Sequence, residues 1–452
     1  MQEETKLKKN ALGLTESIIM GIAGTAPAYS IEITTSTIIA TTGVFSPASI
    51  LVCGLIMFGI AFAFINLNKA VSSAGTSYSW VSMVFGKTTG FFAGWALLVL
   101  CCVFMVSAMI PAANATLLIF KPELVNNVNW VTAIAALWLT FISAVVVKGI
   151  KLTSFVQVLM TIIEGIILLA IIVMSFIVFP KFPAHAFSWN WFSPFSFSPQ
   201  LFASGALVAI FFYYGWDVTM NLSEETTDPN RTPGRAAFWS MIFLIVFFLT
   251  FIVITLLALS DAEIQHYNTN VIFGIAEKLF GKTWGYVAII AVLLSTIGTV
   301  ETQILQFTRT LFAKGRDRAL HPRYSRLHPE WKTPYIAIFF IWIAGLALLF
   351  GSSYLPTINV ILEDSITALG FQISFYLGLT GLACAWYYRK MIAGKIWPAI
   401  THIVWPAFSG FFLFFVAIYS IPTFDTITNI VGLGGIAIGI VPFLLNRKNS
   451  KI

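Results

Sequence analysis

The chain alternates long apolar runs with short polar joints over its whole length. Runs able to cross a bilayer, which takes about 20 residues each, fall near 12–41, 46–67, 90–118, 130–147, 152–179, 201–222, 236–259, 285–312, 334–350, 357–388, 396–419 and 427–446. The pattern predicts an all-α polytopic membrane protein, 1–452 forming one domain of twelve transmembrane helices. Two of the runs are interrupted. The first carries GIAGTAPAYS, Gly21 to Ser30, and the sixth places a glycine and an acid in FFYYGWD, Phe211 to Asp217. A backbone break and a carboxylate at membrane depth are tolerated only against protein or a water-filled cavity. Broken helices in corresponding positions of two halves of a chain point to a carrier site. Helices 1 to 5 (12–179) overlay on helices 6 to 10 (201–388) so that the two breaks coincide, and helices 11 and 12 (396–446) are left over.

Composition agrees with this pattern. Apolar residues make up 58% of the chain and charged ones 10%, with a mean hydropathy of +0.87, which lies far outside the soluble range. The net charge of +7 reflects where the basic residues sit. With the amino terminus inside, the inner joints hold Lys and Arg from Lys6 to Lys451, while the outer ones hold only Lys121, Lys181, Lys278 and Lys282. That asymmetry puts both termini in the cytoplasm. It also removes the case for nucleic-acid binding, because the basic residues cap helix ends and form no dedicated patch. Cys53, Cys101, Cys102 and Cys384 all fall inside spans, so no disulfide framework is expected. The amino-terminal KLKKN precedes an apolar run containing Glu16 and Glu32, and the segment is read as part of the mature chain rather than as a signal peptide. The outer segment 180–200, rich in Pro, Phe, Trp and Ser, suits the interfacial aromatic belt. NVIFGIAEKLFGK, Asn270 to Lys282, suits an amphipathic helix over an outer vestibule.

The end of the sixth run and the loop after it, YGWDVTMNLSEETTDPNRTPGRA, resemble the signature of the amino acid–polyamine–organocation permeases. QFTRTLFAKGRDRALHPRYSRLHPEWKTP, Gln306 to Pro334, is similar to that family's end of helix 8, and SSAGTSYSWVSMVFGKTTGFFAGW, Ser72 to Trp95, to its helix 2 to helix 3 connection. The resemblance implies a five-plus-five inverted repeat, shared with sodium-coupled amino acid transporters, with discontinuous helices 1 and 6. It also implies a permease in the cell membrane that imports an amino acid or related amine by alternating access. There are two departures. The glycines of helix 1 are spread over GIAGTAPAY with Pro27 inside, and Glu164 stands where proton-coupled members often place a Lys in helix 5.

A carrier of zwitterions needs donors for a carboxylate and acceptors for an ammonium group near mid-membrane. Amides where helix 1 resumes, at Gly21, Ile22, Ala23, Gly24, Thr25 and Ala26, would supply donors, and carbonyls at Tyr213, Tyr214 and Gly215 would supply acceptors. Gly21, Gly24 and Gly215 would permit close backbone approach, though membrane helices also use glycine simply to pack. Tyr213, Tyr214 and Trp216 would wall the pocket or form a lid, or serve as ordinary packing. Phe104 and Ser107 of helix 3 and Thr296 and Thr299 of helix 8 would line it.

Four carboxyls lie inside spans, at Glu32, Glu164, Asp217 and Glu301, against one Arg309. Each must be protonated, bound to a cation or paired. Glu164 is the leading candidate for proton coupling, against a purely structural hydrogen bond to a neighbouring helix. A sodium site formed by Glu164 with Ala23, Ser295 and Thr299 is the alternative, as is an exchanger of the same fold or a non-transporting sensor. Asp217 would either pin the broken helix or touch the ligand. Glu32 and Glu301 would tune charge in favour of an amine. Arg309 would join an inner gate with Glu224, Glu225 or Asp228. No metal or other cofactor is expected besides the coupling ion, since His185, His266, His321, His328 and His402 are scattered. No nucleophile with a partnered base and no nucleotide loop supports an enzyme.

Overall fold

The computed structural model describes residues 6–195, 198–354, 358–423 and 426–449. Lys451, counted above with the inner basic residues, lies outside them, as do the side chains of Arg447 and Lys448. The helices that position the centre are α1 (Leu14–Thr25), α2 (Pro27–Thr42), α3 (Ser46–Ala70), α4 (Ser77–Phe85), α5 (Lys87–Phe120), α6 (Val128–Val147) and α7 (Ile150–Val178). They are followed by α8 (Pro199–Phe211), α9 (Val218–Asn221), α10 (Thr232–Ala258), α11 (Asp261–Tyr267), α12 (Val271–Phe280), α13 (Lys282–Arg316), α14 (Tyr335–Ser352) and α15 (Ile358–Tyr387). Ile396–Ser420 and Ile430–Asn446 follow.

Among the described residues, nine helical stretches are long and apolar enough to cross a membrane, where the sequence pattern predicts twelve spans. The difference has local causes. Leu14–Ala70 runs as one stretch because α1, α2 and α3 are joined by single turns, α8 stops short at the break before Gly215, and Ile430–Asn446 is short.

The helices are inside-out relative to soluble ones. Along α7, Gln157, Met160, Glu164, Leu168, Ile171 and Ser175 recur at three- and four-residue spacing on the buried face, while Leu159, Ile162, Ile166 and Leu169 are exposed. Past its first turn, the polar groups of α7 thus turn inward, while its outward face is apolar, as a lipid solvent permits. α5 and α13, both largely buried, pack extensively against each other. Around them lie α1, α4, α6, α7 and α15. Asn127 caps α6 by accepting from the amides of Asn129 (3.1 Å) and Trp130 (3.3 Å).

One charge departs from its expected place. Lys314 falls in an inner joint by sequence, but α13 continues to Arg316 and buries it. Its Nζ donates to the Phe91 carbonyl at 2.6 Å and sits 4.0 Å from the centre of the Phe91 ring.

Candidate functional site

The first break is one residue wide. α1 ends at Thr25, Ala26 takes φ +49° and ψ 72°, and α2 begins at Pro27. Proline suits the first helical position because the amide it lacks would have no partner there anyway. The Ala26 amide donates back to Ala23 at 3.1 Å, so the donors freed by the break lie further on than the 21–26 stretch the sequence suggested. They are the amides of Ala28 and Tyr29. Ala28 donates to Glu164 Oε1 at 3.1 Å, and Tyr29 to Ser295 Oγ at 3.4 Å. On the α1 side, the freed Gly24 carbonyl accepts from Thr299 Oγ1 at 2.8 Å, and the Thr25 carbonyl from Ser30 Oγ at 2.7 Å.

The second break spans Phe212 to Asp217, with Gly215 at φ +108°. It meets the first break backbone to backbone. A Cβ on Gly215 would stand 2.0 Å from the Gly24 carbonyl oxygen, and a Cβ on Gly24 2.3 Å from the Gly215 oxygen. Only hydrogens fit there. Gly21 serves the same close packing one turn earlier, where a Cβ would meet Ser240 Oγ at 2.5 Å. Asp217 is buried, and its Oδ2 accepts from Gln306 Nε2 at 2.7 Å and from the Tyr376 hydroxyl at 3.0 Å. These bonds tie the start of α9 to α13 and α15.

The aromatic candidates separate into two groups. Tyr214, Phe104 and Tyr29 come together, with ring centres 5.9 Å apart for Phe104 and Tyr214 and 6.1 Å for Tyr29 and Phe104. The Tyr214 hydroxyl donates to Gln303, and the Tyr29 hydroxyl donates to the Ser107 carbonyl at 2.8 Å. Tyr213 and Trp216 turn instead to α3. There the Tyr213 hydroxyl donates to the Ile50 carbonyl at 2.9 Å, and Trp216 packs edge-on against Phe64 at 5.4 Å. Ile22 is half-buried on α1, and Thr296 Oγ1 donates within its own helix to Val292.

The remaining acids lie on either side of this centre. Glu32 reaches from α2 to the first turn of α12, where it accepts from the Ile272 amide at 2.6 Å, a position where a helix N-terminus favours an anion. It also lines a cavity of about 260 Å³ with Pro111, Asn114, His266 and Asn270. Glu301 is buried between α13 and α7 beside Gln157. Beyond Asp217, Arg309 forms a two-point pair with Glu225 at 2.9 and 3.0 Å, both side chains buried. Arg316 forms a second such pair with Glu224, both bonds at 2.9 Å. Asp228 joins neither pair. Gln303, Gln306 and Tyr376 are site residues the sequence reading missed. Their one available signal was polar spacing along otherwise apolar helices.

Fold and site together define a polytopic helical membrane protein whose polar centre is assembled where two broken helices touch. The sequence profile of the Amino acid permease family matches residues 12–442, and the chain belongs to that family. Membership in a permease family, more than any missing motif, sets aside the enzyme reading. The chain is 25% identical over 293 residues to the serine/threonine exchanger SteT of Bacillus subtilis (strain 168), covering 64% of each. It is 28% identical to the human large neutral amino acids transporter small subunit 2, covering 69% of this chain and 58% of the relative. It is 25% identical to the branched-chain amino acid permease BcaP of B. subtilis (strain 168), covering 74% of this chain and 73% of the relative. The matched part thus spans less than two thirds of the length of the first two.

Proposed function

We propose that the chain is a cell-membrane permease that moves an amino acid or related amine by alternating access, coupled to protons through Glu164. Its twelve spans would form a five-plus-five repeat plus two helices, with both termini in the cytoplasm. The broken first and sixth spans would rock against α5, α6, α13 and α14.

The observation carrying the reading is the carboxylate of Glu164 on the Ala28 amide. A helix N-terminus freed at mid-membrane is the natural cradle for a substrate carboxylate, and here a carboxylate of the protein already occupies it. Protonating Glu164 weakens its hold, because a neutral acid accepts a weaker bond than an anion does. The amides of Ala28 and Tyr29 then become free for the substrate. Loading of proton and substrate is coupled because both act on the same donors. The carbonyls near Gly215 and the buried Asp217 would face the ammonium group, and the Tyr29, Phe104 and Tyr214 rings would wall the side chain.

The sodium alternative is weaker on geometry. The Ala23 carbonyl already accepts from the Ala26 amide and Ser295 Oγ from the Tyr29 amide, while a hard cation needs several free oxygens to converge. Exchange stays in view because one relative is named an exchanger.

The test is uptake of a panel of amino acids and amines into proteoliposomes under separately imposed proton and sodium gradients. The expected result is saturable, proton-driven accumulation that Glu164→Gln abolishes while substrate-for-substrate exchange continues. Accumulation by that variant at the unmodified rate would overturn the coupling assignment.

A further inference from the structure

The interface between α7 and α13 carries a polar stripe deeper in the protein than the substrate centre requires. On α7 the stripe is Gln157, Thr161 and Glu164, and on α13 it is Ser295, Gly298 and Glu301, each set at three- or four-residue spacing on one face. Gln157, Glu164, Ser295 and Glu301 are all buried. With its amide oriented as its neighbours require, Gln157 donates to Glu301 Oε2 at 2.8 Å and to the Gly298 carbonyl at 3.1 Å. It accepts from Thr161 Oγ1 at 3.2 Å. Gly298 makes room for this, since a Cβ there would lie 2.5 Å from the Gln157 amide.

Glu301 Oε1 is buried with no hydrogen-bond partner among the described residues. Among the described residues, none of the ion pairs involves it. Of the elements packed against α13, α7 brings Glu164 and, at its first turn, Lys151, α1 only Glu16, α2 Glu32 and Tyr29, α5 Lys87, Cys101 and Cys102, α12 Glu277 and Lys278, and the turn Pro322–Ser325 brings Arg323 and Tyr324. α14 brings Tyr335 and α4 Tyr78, while α6 and α9 bring no ionisable group. On α13 itself, Arg309 is paired with Glu225 and Arg316 with Glu224, Lys314 is held by the Phe91 carbonyl, and Lys282 lies at the opposite end of the helix. A buried carboxyl kept without a countercharge costs stability unless it has work to do.

We propose that Glu301 is a second proton-relay residue, receiving the coupling proton from Glu164 and passing it to the cytoplasmic side. The inference rests on the proton-coupled reading above. Seven residues of α7 at about 1.5 Å each put Gln157 roughly 10 Å from Glu164, toward the basic end marked by Lys148 and Lys151. α1 touches both α7 and α13. The break at Ala26 lets α1 swing separately from α2. When it swings out, water enters along the stripe. Glu301, neutral while buried without a countercharge, first gives its Oε1 proton to the entering water and becomes a carboxylate. The proton then leaves Glu164, which becomes a carboxylate, and re-protonates Glu301 at Oε1, so one proton reaches cytoplasmic water per cycle. Gln157 holds Oε2 throughout and keeps Oε1 as the receiving atom.

The experiment compares Glu164→Gln, Glu301→Gln and Glu301→Asp in proteoliposomes, measuring proton-driven accumulation and, separately, gradient-free exchange. The expected result for Glu301→Gln is an accumulation rate lower by about 100-fold, the low end of what a positioned proton carrier contributes, with exchange retained. Glu301→Asp, which keeps a carboxyl, restores most of the rate and shifts its pH profile. If Glu164→Gln loses accumulation while Glu301→Gln keeps it, the relay is overturned and the coupling assignment stands. If Glu164→Gln itself keeps accumulation, the coupling assignment has failed. Loss of exchange in Glu301→Gln makes the residue structural and also overturns the relay.

Discussion

Cutting the Arg309–Glu225 pair tests whether the inner side is closed by buried charge. The two side chains are 0% and 1% exposed and share bonds of 2.9 and 3.0 Å, and Arg309 Nη1 also donates to Thr308 Oγ1 at 3.1 Å. The Glu225 carbonyl accepts from the amides of Ala11 (2.8 Å) and Leu12 (3.2 Å), so the pair also anchors the segment leading into α1. Removing one partner strands a desolvated charge, which costs about 3–5 kcal/mol, whereas replacing both with apolar groups of similar volume is close to neutral. The lower figure alone corresponds to roughly a 100-fold change in the closed-to-open ratio. Arg309→Met and Glu225→Gln are therefore expected to lower the thermal midpoint of the purified protein, and Arg309→Met with Glu225→Leu to regain most of it. A reporter cysteine at the buried Met220, with Cys53, Cys101, Cys102 and Cys384 replaced, reads the opening directly. In inside-out vesicles an impermeant maleimide should label it about 100-fold faster in the single variants. Unchanged labelling in both single variants, or a double variant no more stable than the worse single one, would refute the argument.

Two further outcomes follow from local geometry. Gly215→Ala places a Cβ 2.0 Å from the Gly24 oxygen at φ +108°, so the two breaks must separate; a loss of at least about 2 kcal/mol is expected, measurable as a lower thermal midpoint together with lost substrate binding. Glu263, at the start of α11, is held below the usual carboxyl range by its hydrogen bond to Lys278, offset partly by burial and helped by Ser260. A depressed folded-state pKa contributes stability above the ordinary carboxyl value and loses it as pH falls through the folded value. Protection of the amides of Asp261–Tyr267 from exchange, relative to their intrinsic rate at the same pH, is therefore expected to fall below about pH 4, and Glu263→Gln to remove that acid step.

The breaks were legible in the sequence because glycine, proline and an acid inside an apolar run leave few alternatives. What fills them was not. The Ala28 amide and Glu164 are separated by 136 residues, and the Tyr29 amide and Ser295 by 266. No local pattern reveals that the exposed donors are already held by the scaffold. The same limit explains the aromatics. FFYYGWD places five aromatic side chains around one glycine, but which of them face the centre depends on where α3 and α5 pass. Tyr214 turns to Phe104 and Gln303, while Tyr213 and Trp216 turn to Ile50 and Phe64. The gate partner of Arg309 could be narrowed by membrane side to three acids, and only packing selects Glu225.

One pattern in α13 links these contacts. Ser295, Thr299, Gln303, Gln306 and Arg309 follow each other at spacings of four, four, three and three, and so share one face of the helix. Going down that face, they meet the Tyr29 amide at the head of α2, the Gly24 carbonyl at the end of α1, the Tyr214 hydroxyl, Asp217 at the start of α9, and Glu225. Both broken helices therefore engage a single polar rail, one bond per turn, inside a helix otherwise buried among apolar neighbours. Each bond satisfies a group that would cost several kcal/mol if left bare in a hydrocarbon surround. No part of either broken helix can slide freely along α13; it must exchange one rung for another partner. Movement between two arrangements is then a discrete switch, and the groups that can change their bonding most cheaply are those that can take up a proton or a ligand. Glu164, facing the top rung from α7, and Asp217, bound to the fourth rung, are the carboxyls at those positions.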